Sequence, residues 1–170
     1  MTTDNKLGWS DLQEMTAELI GDNRPGTANW QPENALTTRT NESFIQQFRE
    51  NNGKIPGELE DVPFLIITTI GAKSGKERLV PLAYHDFGGR ILIIASMGGA
   101  KNNPPWYHNL RANPDVVVER GGETYDATAV MTDGADREAC FKSICEAMPV
   151  FSEYQGRAGR TIPVFELRRK

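Results

Sequence analysis

The sequence predicts an α+β protein in which consecutive antiparallel strands form a small barrel with helices at its rim. Two glycine-marked hairpins carry most of that prediction. "ERLVPLAYHD" (77–86) and "RILIIAS" (90–96) are separated only by Phe87, Gly88 and Gly89; "DVVVER" (115–120) and "ETYDATAVM" (123–131) are separated only by Gly121 and Gly122. Such short connections return a strand beside its neighbour in the opposite sense and cannot make the crossover that a parallel pair needs. The third observation is that helical periodicity is confined to short segments between or outside these strands.

In chain order, residues 10–20, "SDLQEMTAELI", predict a helix. Ser10 and Gln13 fit a capping box, and Leu12, Met15 and Leu19 recur at helical spacing. Residues 21–40 hold glycine and prolines without periodicity and predict a loose, extended connection. Asn41 is placed to cap a second helix, "ESFIQQFREN", with Phe44, Ile45 and Phe48 on one face; Gly53, Pro56 and Gly57 end it. The chain is thereby divided into an N-terminal helix and loose extension over 1–40 and a barrel domain over 41–170. "PFLIITTI" (63–70) is apolar and β-branched, as a buried strand should be. "PPWYHNLRANP" (104–114) predicts a short helix, because Pro105 suits a first turn and Pro114 forbids continuation. A last helix over 134–148 sets Phe141, Ile144, Cys145 and Met148 on one face, and "TIPVFELRR" closes the chain as a strand.

Composition narrows the function classes. The 170 residues carry a net charge of −4, which disfavours sustained binding to nucleic acid. The longest apolar runs, "VPFLIITTIG" and "ILIIAS", fall far short of the roughly 20 residues of a membrane span. The first residues lack the basic-then-apolar layout of a signal peptide, so the expected location is the cytoplasm. Cys140 and Cys145, five apart on a predicted helix, point to different faces and read as small apolar residues, not as a disulfide or zinc pair. No Asp or Glu lies at helical ligand spacing from His108; hydrogen-bonding or surface roles are expected for both His85 and His108, and no metal. No serine stands in a nucleophile elbow.

The stretch "TTIGAKSGKERLVPL" (68–82) sets Lys73, Lys76 and Arg78 around two glycines and Ser74. A tight glycine turn exposes backbone N–H groups, which with cationic neighbours make an anion-binding concavity. Arg78 can hold a phosphate or carboxylate through two parallel bonds, Lys73 supplies a point charge and Ser74 a hydroxyl. The glycines are too close for a Walker A loop, and no helix follows. The plain alternative is a solvated hairpin tip. A second cluster, "ASMGGAKNNPPWYHNLRANP" (95–114), ends a buried strand, bends at Gly98-Gly99 and starts a helix with Trp106 and Tyr107 in its first turn. That combination can set polar donors and an aromatic wall beside a planar ring; core packing of the two aromatics is the equal alternative.

Three blocks, "TTIGAKSGKERLVPLAY", "ASMGGAKNNPPWYHNLRANPDVVVE" and "EYQGRAGRTIPVFEL", resemble the deazaflavin-dependent nitroreductase family, reductases of actinobacteria that use coenzyme F₄₂₀. The resemblance runs from about Asn41 to Leu167. It implies a split β-barrel of the flavin-reductase type with flanking helices. It also implies that the reduced cofactor gives a hydride from carbon 5 of its ring to an electron-poor small molecule: an enone, a quinone or a nitroaromatic. The cofactor carries a phosphodiester and a polyglutamate tail. By resemblance, Lys73, Ser74 and Arg78, with Ala72 in the same turn, would hold the phosphate and nearby carboxylates. Leu79, Val80 and Pro81 would run along the linker and ring. Ala95, Ser96 and Met97, with Pro105, Trp106, Tyr107 and Asn109, would complete the cradle, and Tyr154 would reach over the deazaflavin near the substrate. The catalytic donors implied are the hydroxyls of Tyr154 and Ser96.

The sequence departs from the family's pattern in three places. Ala72 stands where an arginine is usual, Met97 where a lysine is usual, and Phe151 where some relatives have a tyrosine. The first two remove cations from the tail region, so weaker affinity for a long polyglutamate tail, or compensation by Lys76 and Lys101, is expected. The third takes a hydroxyl from the substrate wall. Two other readings keep the barrel: FMN as cofactor, whose short phosphate suits Ala72 and Met97, or a non-catalytic carrier of a deazaflavin or haem-like ring. Split barrels frequently pair through their sheets, so a homodimer is expected. Membrane-surface association through the N-terminal helix is the weaker expectation, because "SDLQEMTAELI" lacks a basic face.

Overall fold

The computed structural model describes residues 35–57 and 59–170, with side chains from Glu42 onward. The helix expected over 10–20, and Trp9 and Trp30, lie outside the described residues. The elements are α1 (Ala35–Glu50), β1 (Phe64–Ile70), β2 (Glu77–Ala83), β3 (His85–Phe87), β4 (Arg90–Ile94), a 3₁₀ turn (Met97–Gly99), α2 (Pro105–Ala112), β5 (Asp115–Arg120), β6 (Glu123–Met131), α3 (Gly134–Ala147), α4 (Val150–Ala158) and β7 (Val164–Arg169).

The seven strands among the described residues form one antiparallel sheet in the order β2-β1-β5-β6-β7-β4-β3. Its two edge strands, β2 and β3, are separated in sequence by Tyr84 alone. Consecutive Cα atoms are about 3.8 Å apart, so opposite edges of the sheet must meet at that corner. The sheet therefore curls into a half-barrel that is open where β2 and β3 diverge. This is the split barrel the sequence predicts.

Alternation along each strand builds two faces. Leu65 and Ile67, Val116 and Val118, Ala127 and Ala129, Phe165 and Leu167, and Ile91 and Ile93 point inward and form the main core with Trp106 and Leu110 of α2. On the outside, Ile66 packs with Phe48 and Ile55 under α1. Leu92 and Val164 pack outside with Cys140, Ile144, Met148, Val150 and Phe151 of the α3–α4 region. Each fully buried Leu, Ile or Phe contributes about 1.5–3 kcal/mol, so the sheet is held from both sides.

Two local expectations change, and one helix lies where none was expected. The second helix starts at Ala35, not at Asn41, so 35–40 is helical and the helix runs across the 40/41 boundary. Once the Phe44–Ile45–Phe48 face anchors a helix, propagation N-terminally needs only tolerable propensity, not apolar periodicity. The strand expected over 77–86 breaks at Tyr84, because the chain there changes edges. Helix α4 has no clear periodic signal, and Gly156 lies inside it. It forms because Val150, Phe151 and Ala158 are buried against the sheet and α3.

Candidate active site

The basic turn joins β1 to β2, whose register runs from Phe64 opposite Ala83 to Ile70 opposite Glu77. Within it, the Gly71 N–H donates to the Lys76 carbonyl (2.8 Å) and the Gly75 N–H to the Gly71 carbonyl (2.9 Å). The Lys76 N–H donates to Ser74 Oγ (3.2 Å), and the Ala72 N–H to Asn109 Oδ1 (3.0 Å). These four donors are spent inside the protein, so fewer free backbone N–H groups line the turn than the glycines suggest. A Cβ at Gly71 would lie 2.5 Å from Ser74 Oγ, which folds back over it, and 3.3 Å from the Lys76 carbonyl oxygen. The turn instead offers side chains. Lys73, Lys76 and Arg78 are exposed, and among the described residues none of them is ion-paired. Ser74 accepts from Lys76 and keeps its hydroxyl proton for another acceptor.

Asn109 fastens this turn to α2. Its Oδ1 accepts from Ala72 and its Nδ2 donates to Oγ1 of fully buried Thr69 (3.2 Å). Asn109, expected in direct contact with a ligand, uses its amide to hold the cationic turn. Thr69 is a residue the sequence reading missed; a polar side chain in an otherwise apolar strand is the signal that marks it. Past the turn, Arg78, Leu79, Val80 and Pro81 follow one another along the free edge of β2. Leu79 is 40% exposed, while Val80 packs on the inner core. Proline is tolerated there because an edge strand has no second ladder to serve.

The second cluster begins where β4 ends. Ala95 is fully buried and donates its N–H to the Pro163 carbonyl (2.9 Å). Ser96 is buried and its side chain does not cap the turn that follows. Met97, Gly98 and Gly99 then hold left-handed φ values of 48°, 63° and 81°. For Met97 that conformation costs on the order of 1–2 kcal/mol. The turn packs on α4, where Gly99 meets the backbone of Tyr154. Ser96 and Tyr154, far apart in sequence, are therefore carried by two segments in contact. The Tyr154 ring is half-buried and edge-on to Phe151, with centroids 5.6 Å apart. Phe151 is 6% exposed and belongs to the α3–α4 core, so the phenyl ring supports Tyr154 from below and is not part of an open wall.

On α2, Pro105 takes the first helical position and is exposed. Trp106, expected as an aromatic wall, is 7% exposed and packs 6.0 Å from the Phe165 ring. Of its two readings, core packing is the one the structure gives. Tyr107 is half-buried at the same phenyl ring (5.9 Å), so the reachable aromatic surface on this helix is Tyr107.

Other groups have structural work. His85 Nε2 is 2.8 Å from Ser143 Oγ. Arg137 is buried, with its guanidinium donating to the Ile162 carbonyl and Gln155 Oε1 and stacked over Phe141. Burial pushes both the Cys140 and Cys145 thiols up, which suits packing and not nucleophilic chemistry. Among the described residues, no cluster of His, Cys, Asp and Glu could hold a metal, and no helix is long and apolar enough to cross a membrane.

Comparison with known proteins shows the family. The model of the family described as F₄₂₀H(2)-dependent quinone reductase matches residues 39–168. An F₄₂₀H(2)-dependent quinone reductase of Mycobacterium tuberculosis is 36% identical over 127 residues, covering 72% of this chain and 85% of the relative. Among solved structures, the F₄₂₀-H2 dependent reductase FDR-A is 43% identical with a TM-score of 0.58, over 62% of this chain and 94% of its own. A structure described as a domain-swapped dimer is 37% identical with a TM-score of 0.60, over 77% of this chain and 98% of its own. The chain belongs to the F₄₂₀H(2)-dependent quinone reductase family.

Proposed function

We propose that this protein reduces quinones with F₄₂₀H₂, the basic turn holding the cofactor's anionic tail and the Ser96–Met97 segment and Tyr154 bordering its ring. Family membership makes the chain an oxidoreductase with coenzyme F₄₂₀, in preference to FMN, as its cofactor. The observation that carries the site reading is the group of three exposed cations, none ion-paired among the described residues, on one hairpin of an acidic protein, fastened by Asn109. That donor set fits a phosphodiester and several carboxylates. Bound there, the cofactor supplies a hydride from its ring.

The protein's part is binding, orientation and charge stabilisation. Lys73, Arg78 and Ser74 hold the tail. Leu79, Val80 and Pro81 give an apolar border along the free edge of β2. A quinone carbonyl that has taken a hydride carries negative charge on oxygen, and a hydroxyl aimed at that oxygen lowers the barrier. Tyr154 is the first candidate for this donor and Ser96 the second. A proton from Tyr154 or water completes the two-electron reduction to the hydroquinone. Enones and nitroaromatics fit the same chemistry as wider acceptors. The 37% identical relative that forms a domain-swapped dimer supports a homodimer for this chain.

The test is a fluorescence titration with F₄₂₀, followed by anaerobic mixing of the reduced complex with a soluble quinone. Micromolar binding and quinone-dependent reoxidation are expected. Binding without reoxidation by any quinone overturns the reductase reading.

A further inference from the structure

We propose that Arg160 is a positioning residue of this reaction, clamping the Ala95–Asn103 segment so that Ser96 and Met97 are set against Tyr154. The proposal rests on the reading that this segment borders the cofactor. Arg160 follows α4 directly, after Gly159 has ended the helix in a left-handed conformation (φ 62°). Its guanidinium reaches back across the structure to one short stretch. Nε donates to the Ala100 carbonyl (3.0 Å) and Nη1 to Asn103 Oδ1 (2.6 Å). Nη2 lies within reach of the carbonyls of Ala95 (3.1 Å), Ser96 (3.2 Å) and Asn102 (3.2 Å).

These acceptors explain the geometry. The ladder between β4 and β7 stops at Ile94 opposite Val164, and α2 starts only at Pro105. The intervening carbonyls thus have no sheet and no long helix to satisfy them, yet several lie in buried backbone. Between the two points that Arg160 grips, three successive residues hold left-handed φ values, one of them Met97. A strained run of this kind persists only where its surroundings over-determine it. Arg160 ties the run before it, at Ala95 and Ser96, and after it, at Ala100, Asn102 and Asn103. The Arg160 carbonyl in turn accepts from the Gln155 side chain, next to Tyr154, so the clamp is anchored to the helix that carries the first candidate donor. Every acceptor on the guanidinium is neutral. Its role is therefore geometric, a planar fork spanning several carbonyls, which a lysine head on a flexible stem cannot reproduce.

Arg160→Gln and Arg160→Lys test this in the full chain, beside Arg90→Gln, which breaks ion pairs to Asp136 and Glu166 away from this segment. Hydrogen exchange in the cofactor-free protein reads the clamp: the Gly99 and Ala100 amides, bonded to the Ser96 and Met97 carbonyls, should exchange at least about tenfold faster in both Arg160 variants and unchanged in Arg90→Gln. Single-turnover oxidation of F₄₂₀H₂ by a quinone should slow about tenfold or more in both, with a smaller change in F₄₂₀ affinity. Unchanged exchange overturns the clamp. Faster exchange with unchanged turnover overturns its part in the reaction and removes this segment from the cofactor site, while binding at the basic turn is read separately. Full rescue by Arg160→Lys, or a rate loss that merely follows melting temperature across all three variants, also overturns the proposal. If the Arg160 variants fail to fold, Asn103→Ala removes one partner and keeps the charge; slower turnover at a near-native melting temperature is expected, and an unchanged rate overturns the proposal.

Discussion

Gly99 lies directly on the backbone of Tyr154: a Cβ at Gly99 would stand 3.0 Å from the Tyr154 carbonyl oxygen and 3.1 Å from its Cα. This close approach brings the end of β4 against α4 and puts the two candidate hydroxyl donors on neighbouring backbone. The two nearest atoms are main-chain and cannot swing aside, and Arg157 Cβ stands 3.2 Å away. Gly99→Ala should therefore cost about 1–3 kcal/mol, from the contact and from a φ of 81° that L side chains avoid. Denaturant unfolding reads that loss, and turnover should fall with it.

Asn109 links the site's two halves, and its removal should separate their effects. Asn109→Ala frees the Ala72 N–H and Thr69 Oγ1 and loosens the basic turn on α2. Affinity for F₄₂₀ should drop about tenfold, the scale of one or two lost hydrogen bonds, whereas the bare deazaflavin riboside without phosphate or glutamates should bind nearly as before. Fluorescence titration with each form measures the split.

Lys73→Gln and Arg78→Gln each remove an exposed cation with no ion pair among the described residues, so folding stability should change by less than about 0.5 kcal/mol. F₄₂₀ affinity should fall roughly tenfold for each and lose much of its salt dependence between about 0.05 and 0.5 M. Equal affinity at all salt concentrations would remove the turn from the cofactor site.

Tyr154→Phe keeps the packing of the ring against Phe151 and deletes only the hydroxyl. Hydride transfer, followed by stopped-flow oxidation of F₄₂₀H₂, should slow more than binding weakens. Ser96→Ala should have the smaller effect. Unaltered hydride transfer in Tyr154→Phe takes that residue out of the chemistry.

A pH experiment isolates the ion-pair network across β4, β7 and α3. The bidentate Arg90 guanidinium holds the Asp136 carboxyl below its ordinary value of 3.8. Partial burial pushes Glu166 up, but hydrogen bonds from Arg90 and Arg168 outweigh it, and the carboxyl ends below its ordinary 4.5. A carboxylate lowered in the folded state stabilises above its unfolded value and loses that stabilisation as pH falls through the folded value. The gap in melting temperature between the native protein and Arg90→Gln should be widest near neutral pH and should narrow as pH falls below the ordinary carboxylate values of 4.5 and 3.8. A gap that stays constant would show that packing, not charge, is what Arg90 contributes.

Much of this architecture was legible beforehand. The hairpins at Phe87–Gly89 and Gly121–Gly122, the strand over 63–70 and the helix after Pro105 depend on turn chemistry and side-chain period, which are properties of a few adjacent residues. The three blocks that mark the family are local in the same sense. Helix α4 and the early start of α1 were not legible, because their stability comes from burial of Val150, Phe151 and Phe48 against partners distant in sequence.

By itself, then, the sequence determined the antiparallel strand set, the acidic balance with its one basic hairpin, and membership of a cofactor-using family. Only the tertiary structure decided that Trp106 turns into the core while Tyr107 stays reachable. It also decided that Asn109 grips a turn 37 residues away and that Arg160 grips carbonyls up to 65 residues away. Backbone conformation answers to neighbours along the chain; hydrogen bonds across such separations exist only once the sheet has curled and brought its segments together.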